Sequence, residues 1–125
     1  MLGYATVGTN DLLKAASFYD LVIPCIGGRR IFEVERGVYY GRDSFELGVL
    51  QPYDGRPASI GNGTMVALLA PSRNAVTETY TVALSLGAQS EGEPGLRGDP
   101  SMGFYGAYFR DPDGNKLCVF HIGQA

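Results

Sequence analysis

Few side chains in this 125-residue sequence can hold a metal, move a proton or attack an electrophile. There is one histidine, His121, and there are two cysteines, Cys25 and Cys118. One histidine excludes a site with two imidazole ligands from the same chain and leaves a single candidate for histidine catalysis. His121 stands three residues beyond Cys118, so strand periodicity puts the two on opposite sheet faces. The residue is read as surface or helix-facing; the functional alternative is a lone general base or a ligand shared across a dimer. A nucleophilic thiolate needs an electropositive neighbour, and Cys118 has only Lys116 and His121 close in sequence, so a packed thiol is the reading. Asp111 and Asp113 fall in Asp-Pro-Asp-Gly, where turn geometry satisfies them and no paired acid–base function is required. Gly61-Asn62-Gly63 precedes a strand pattern, not a helix, and so is no phosphate cradle. The eight tyrosines are the larger resource, since phenol rings stack on aromatic ligands and hydrogen-bond to them. Tyr39, Tyr40, Tyr105 and Tyr108 lie on strand patterns, and of the adjacent Tyr39 and Tyr40 at most one can face a given cleft. Arg42 and Arg56 sit in loops, either solvated or able to meet an acidic ligand.

The elements that must position these groups follow a repeating order. Residues 2–7 read as a short strand, after which Thr9-Asn10-Asp11 supplies capping oxygens for a helix over 12–22. Strand patterns follow at 30–34, 38–40 and 45–50. Residues 51–63, rich in proline and glycine, read as a crossover loop. A strand over 64–70 and a helix from Ser72 to its stop at Gly87 open the second half. Strands at 88–91, 104–110 and 116–122 complete it, with a glycine- and proline-rich loop over 93–102 and a tight turn at Asp111-Pro112-Asp113-Gly114. The order strand–helix–three strands thus occurs twice. We expect one α+β domain over 1–125, built from two βαβββ modules at about 1–52 and 61–125, with curved mixed sheets around a cleft.

Composition narrows the class. Apolar residues at 45% and charged residues at 18% describe a globular chain able to bury a core. A net charge of −3 without any basic block argues against a nucleic-acid partner. No apolar stretch has the length of a membrane span and no signal-peptide pattern opens the chain, so a cytoplasmic protein with free thiols is expected.

Several stretches carry a family resemblance. Gly8-Thr9-Asn10-Asp11-Leu12 with Phe18-Tyr19-Asp20, then Gly61-Asn62-Gly63-Thr64 with Ala70-Pro71-Ser72-Arg73, resemble the module openings of the vicinal oxygen chelate superfamily, the glyoxalase, bleomycin-resistance and extradiol-dioxygenase group. The stretch from Tyr105 to Lys116 resembles its closing hairpin and is the most specific part. The resemblance spans essentially the whole chain. It implies the paired βαβββ fold, a small-molecule site in the cleft, and a homodimer.

Metal-using members of that group place His or Gln, Glu, His and Glu on their central strands. By the resemblance these positions fall on Tyr4, Glu46, Met65 and Cys118, of which only Glu46 keeps a carboxylate. A thioether is a poor donor for such metals, and a tyrosine ligates well only as phenolate. The expectation is therefore no metal and no cofactor, with a ligand-binding cleft lined by Tyr4, Glu46, Met65, Tyr105 and Cys118 holding an aromatic or apolar small molecule. Sequestration of a toxic compound, as in bleomycin-resistance-like members, is one such role. The alternative is a metal-dependent glyoxalase-like lyase or isomerase using Glu46 and groups from a second subunit. A third class, an interaction module, would have Met65 and Cys118 fill the cavity.

Overall fold

Asp11 starts the first helix, as its capping chemistry predicts. In the computed structural model, which describes residues 1–124, its carboxylate accepts a hydrogen bond from the Lys14 N–H and caps α1, Leu12–Val22. Ala15, Ala16, Phe18, Tyr19 and Val22 form the buried stripe of α1. A 3-10 turn, Ile23–Ile26, follows and ends at Gly27, whose φ of 84° lies in the left-handed region that favours glycine. Ser72 repeats the capping role for α2, Arg73–Ser85, by accepting from the Ala75 N–H.

The strands are β1 (Ala5–Gly8), β2 (Arg29–Val34), β3 (Gly37–Gly41), β4 (Phe45–Leu50), β5 (Val66–Leu69), β6 (Gln89–Leu96), β7 (Phe104–Arg110) and β8 (Lys116–Ile122). They form two four-stranded sheets, ordered β1-β4-β3-β2 and β5-β8-β7-β6. Each sheet has one parallel pair, β1 with β4 and β5 with β8, and is otherwise antiparallel. The α+β fold of two βαβββ modules is therefore present. Two segments differ from their sequence reading: the first strand, expected over 2–7, starts only at Ala5 and includes Gly8, and the strand expected to stop at 91 runs on through Pro94 to Leu96. β6 is an edge strand paired only with β7, so the missing proline N–H is tolerated, and register slips at Gly92 and Gly95 absorb the irregularity.

The helices lie between the sheets. Leu47 and Val49 from the first sheet share one core with Phe109, Leu117 and Val119 from the second, and the Phe18 and Phe109 rings meet edge-on at 6.4 Å. Side-chain alternation then sends Thr6, Gly48, Tyr39 and Phe32 to the far face of the first sheet. By the same rule Ala67, Cys118, Tyr108 and Gly92 occupy the far face of the second. Within one chain the sheets share helices, not an edge, and each keeps an open face of its own. Among the described residues no helix is long and apolar enough to cross a membrane.

The modules are fastened by the turn Asp111-Pro112-Asp113-Gly114. The buried Asp111 carboxylate accepts from the Tyr19 hydroxyl of α1 at 2.6 Å, from the Asp113 and Asn115 N–H groups, and from Asn115 Nδ2. Asn115 Nδ2 also donates to the Gly8 carbonyl at the end of β1, and the Asn10 N–H donates to Asp113. Burial and, next, the Asp111 charge hold the Tyr19 phenol well above its ordinary pKa, so it remains the donor. Tyr19→Phe leaves one lone pair of a buried carboxylate unpaired. We expect a loss of about 1–3 kcal/mol in urea unfolding, with the two modules still melting as one unit.

Candidate functional site

The open face of the first sheet carries an aromatic cluster. The Tyr39 ring stacks on Phe32 at 4.8 Å and meets Phe45 and Tyr4 edge-on at 5.6 and 5.8 Å. Gly48, directly opposite Tyr39 in β4, makes room for it: a Cβ there would stand 2.7 Å from Tyr39 Cε2 and 3.1 Å from Thr6 Cγ2. Tyr40, one residue on, points the other way, where its buried hydroxyl donates to Asp20 at 2.9 Å. Asp20 also receives both Nε and Nη2 of Arg30, and that guanidinium holds its carboxyl below the usual range.

Beside the cluster lies a recess of about 570 Å³, within the size of a small-molecule site. Tyr4, Thr6 and Tyr39 form its floor, and the 51–59 loop with Tyr53 forms its wall. Asn10 pins that loop through two hydrogen bonds to the Ala58 backbone. Arg36 holds its near end, donating to the Gln51 carbonyl at 2.7 Å with its guanidinium 5.2 Å from the Tyr53 ring centre.

A second hollow, of about 500 Å³, runs between the modules and is lined by Tyr4, Glu46, Tyr40, Ile23 and the β5 strand. Glu46 reaches it because it is the extra residue of a β-bulge: Tyr40 pairs with Leu47 and Gly41 with Phe45, which skips Glu46. Its carboxylate turns back and accepts from the Arg42 N–H at 2.9 Å. The Arg42 guanidinium is tied to the Ile26 carbonyl at 2.7 Å. Neither hollow includes Arg56.

The remaining sequence-predicted residues belong to the second module. Met65 precedes β5 and is exposed. Cys118 is buried under Tyr108, its cross-strand partner, and burial raises its thiol pKa. Tyr105 does not share their face. It stands on the helix side, where Arg73 of α2 covers its ring at 5.2 Å and its hydroxyl lies 3.4 Å from Thr77 Oγ1. Alternation from the core residues Ala107 and Phe109 dictates that placement, which removes Tyr105 from the expected cleft lining. His121, also on the helix side, bonds through Nδ1 to the Ala70 carbonyl at 3.0 Å. Cys25 is a half-buried free thiol.

The two sheets use one register. The row Thr6–Gly48–Tyr39 in the first corresponds to Ala67–Cys118–Tyr108 in the second, and Tyr4 corresponds to Met65. By that correspondence the counterpart of Cys118 is Gly48, and the counterpart of Glu46 is Lys116. The four positions that would hold a metal thus bring a phenol, a carboxylate already bonded to backbone, a thioether and a buried thiol, divided between two sheets. Among the described residues no group of three His, Cys, Asp or Glu side chains is placed to hold a metal ion. This donor set does not fit a divalent cation.

Gly48, Arg36 and Tyr53 were not anticipated. A glycine inside a strand pattern marks close approach and could have identified the first; the other two lie in irregular segments without a periodic signal.

Comparisons with known proteins agree on kinship. The family model described as Glyoxalase/Bleomycin resistance protein/Dioxygenase superfamily matches residues 1–119. A glyoxalase/bleomycin resistance protein from Albidiferax ferrireducens T118 superposes with a TM-score of 0.84 at 31% identity, over 95% of this chain and 96% of that one. A glyoxalase/bleomycin resistance protein/dioxygenase family enzyme from Burkholderia phytofirmans PsJN gives 0.74 at 18% identity over 98% of both chains. A lactoylglutathione lyase from Agrobacterium tumefaciens gives 0.68 at 21% identity, over 95% and 92%. The last two bear on the fold alone. No curated protein gives a significant match.

The geometry of the aromatic cluster yields one test. In Gly48→Ala the new methyl displaces the Tyr39 ring. Near-ultraviolet circular dichroism should lose part of its tyrosine signal while the far-ultraviolet spectrum is kept, with a stability loss of about 1–3 kcal/mol.

Proposed function

Because the chain belongs to the glyoxalase/bleomycin resistance protein/dioxygenase superfamily, we propose that it is a small-molecule-binding member that works without a metal, as a homodimer. In this reading the ligand lies between the first-sheet face of one copy and the second-sheet face of the other. The observation that carries it is the division of the site: Tyr4 and Tyr39 stand on one open face and Cys118 and Tyr108 on another, behind separate sheets. A second copy is the simplest way to bring two such faces together, because self-complementary pairing closes both at once. Exposed apolar side chains on the two faces support it, with Phe32 at 41%, Phe45 at 38% and Leu69 at 57% exposure. The aromatic floor of the recess suits a flat, partly apolar ligand, and binding or sequestration needs no further chemistry from the chain. Two free thiols suit a reducing compartment, which makes the cytoplasm the proposed location.

Elemental analysis and sedimentation equilibrium, on protein purified without chelator, test the proposal together. We expect Ni, Zn, Fe and Mn far below one atom per chain, a dimer at micromolar concentration, and a shift toward monomer in Phe32→Lys. A stoichiometric metal that is lost in Glu46→Gln would reject the metal-free reading and favour a metal-dependent lyase or isomerase. A monomer at all concentrations would reject the shared site.

A further inference from the structure

The open face of the second sheet gathers two cations on a single ring. Arg97 lies with its guanidinium 5.3 Å from the centre of the Tyr108 ring, and Lys116 brings its ammonium to 5.8 Å from the same ring. Both residues are half-buried, and among the described residues neither has a carboxylate partner. Among the described residues Arg97 donates to the carbonyls of Leu96 and Glu93 alone. Arg110, on the same face, is by contrast neutralised by Glu91 at 3.6 Å. Two unpaired cations converging on one ring are an unusual expense in a chain with a net charge of −3.

The backbone around them is shaped to hold Arg97 in place. A Cβ on Gly92 would stand 3.2 Å from Arg97 Nη2 and 3.1 Å from Tyr108 Cδ1, and one on Gly95 would stand 3.1 Å from Arg97 Nη1. The bulged, glycine-rich course of β6 thus lets the guanidinium lie low over the sheet. The neighbouring row across the sheet is Leu69–Phe120–Gly106–Gly95, and its two glycines are covered by side chains: a Cβ on Gly106 would stand 2.9 Å from Phe104 Cε1, so the Phe104 ring lies over Gly106 beside the Arg97 guanidinium over Gly95. Phe104 stacks on Phe120 at 5.0 Å with the rings 5° from parallel, which sets a flat apolar pair beside the Arg97 guanidinium.

A fixed positive edge beside a flat apolar seat matches one ligand chemistry. We propose that this face binds an aromatic carboxylate, its carboxylate paired with Arg97 and Lys116 and its ring laid against the stacked Phe104–Phe120 pair. Arginine offers the planar, two-pronged donor set that carboxylates prefer, and lysine adds a mobile point charge. A neutral ring of the same shape loses the charged contacts. A cationic one meets repulsion. The inference rests on the small-molecule reading above and adds to it the sign of the ligand's charge and the face that reads it.

The test is calorimetric titration of the full chain with 2-naphthoate and with the neutral 2-naphthamide, alongside a thermal-shift screen of neutral and cationic aromatic compounds. We expect 2-naphthoate to bind saturably, at least about tenfold more tightly than the amide, and to weaken as salt is raised. Arg97→Gln and Lys116→Gln should each weaken the acid about tenfold while leaving the amide unchanged. Lys116→Arg should keep most of the affinity, and Arg56→Gln, which changes an exposed loop residue, should alter nothing. Unaltered circular dichroism in each variant separates lost contacts from lost fold. Equal binding of acid and amide, or indifference of the acid to both glutamine variants, overturns the proposal and leaves the small-molecule reading standing. Absence of 2-naphthoate binding overturns it as well; if the screen also yields no ligand, the broader reading fails with it.

Discussion

The fold turns on a buried carboxylate. Asp111 sits in a tight turn of the second module, yet one of its oxygens is held by Tyr19 from the first helix, and Asn115 beside it bonds to the end of β1. An unpaired charge in that position would be costly, whereas four hydrogen bonds to its two oxygens make it a firm anchor. The anchor fixes the modules with their helices inward. Once Tyr19, Phe18 and Phe109 are packed at that junction, the opposite faces of both sheets are left for other partners.

Everything about the site follows from that arrangement. The modules share a register, so Tyr39 and Tyr108 are counterparts, but their surroundings have diverged. Around Tyr39 are other aromatic rings and a loop; around Tyr108 are two cations, a thiol and glycines. The first face gathers aromatic rings around Tyr39, and the second gathers two cations on Tyr108. The proposed dimer joins unlike halves into each of two equivalent clefts.

The sequence revealed the fold better than the site, for a physical reason. Helical spacing, the capping oxygens of Asp11 and Ser72, and the turn chemistry of Asp111-Pro112-Asp113-Gly114 are local signals, and the elements they predict are present. The opposed directions of Tyr39 and Tyr40 were legible from alternation alone. Glu46 was not, because a bulge breaks alternation at that residue and only the pairing of β3 with β4 shows it. The course of β6 through Pro94 was hidden in the same way: edge position, which excuses the proline, is a property of the sheet and not of the segment. Tyr105 was not placed correctly because its direction depends on which parity of β7 faces the core, and only the burial of Ala107 and Phe109 shows that. The tie between Asp111 and Tyr19 spans 92 positions, beyond the reach of any local pattern.

The central claim is that each ligand site is built from two copies of the chain. It is tested most directly by co-expressing two defective variants, Tyr39→Ala, which damages the first-sheet face, and Arg97→Gln, which damages the second. Each alone can form only crippled sites. In a mixed dimer one site receives both damaged faces and the other receives none. Titration with 2-naphthoate should therefore recover about one quarter of the sites at full affinity from a random equal mixture. No recovery on mixing, with dimers formed, would contradict the account and place the site within a single chain.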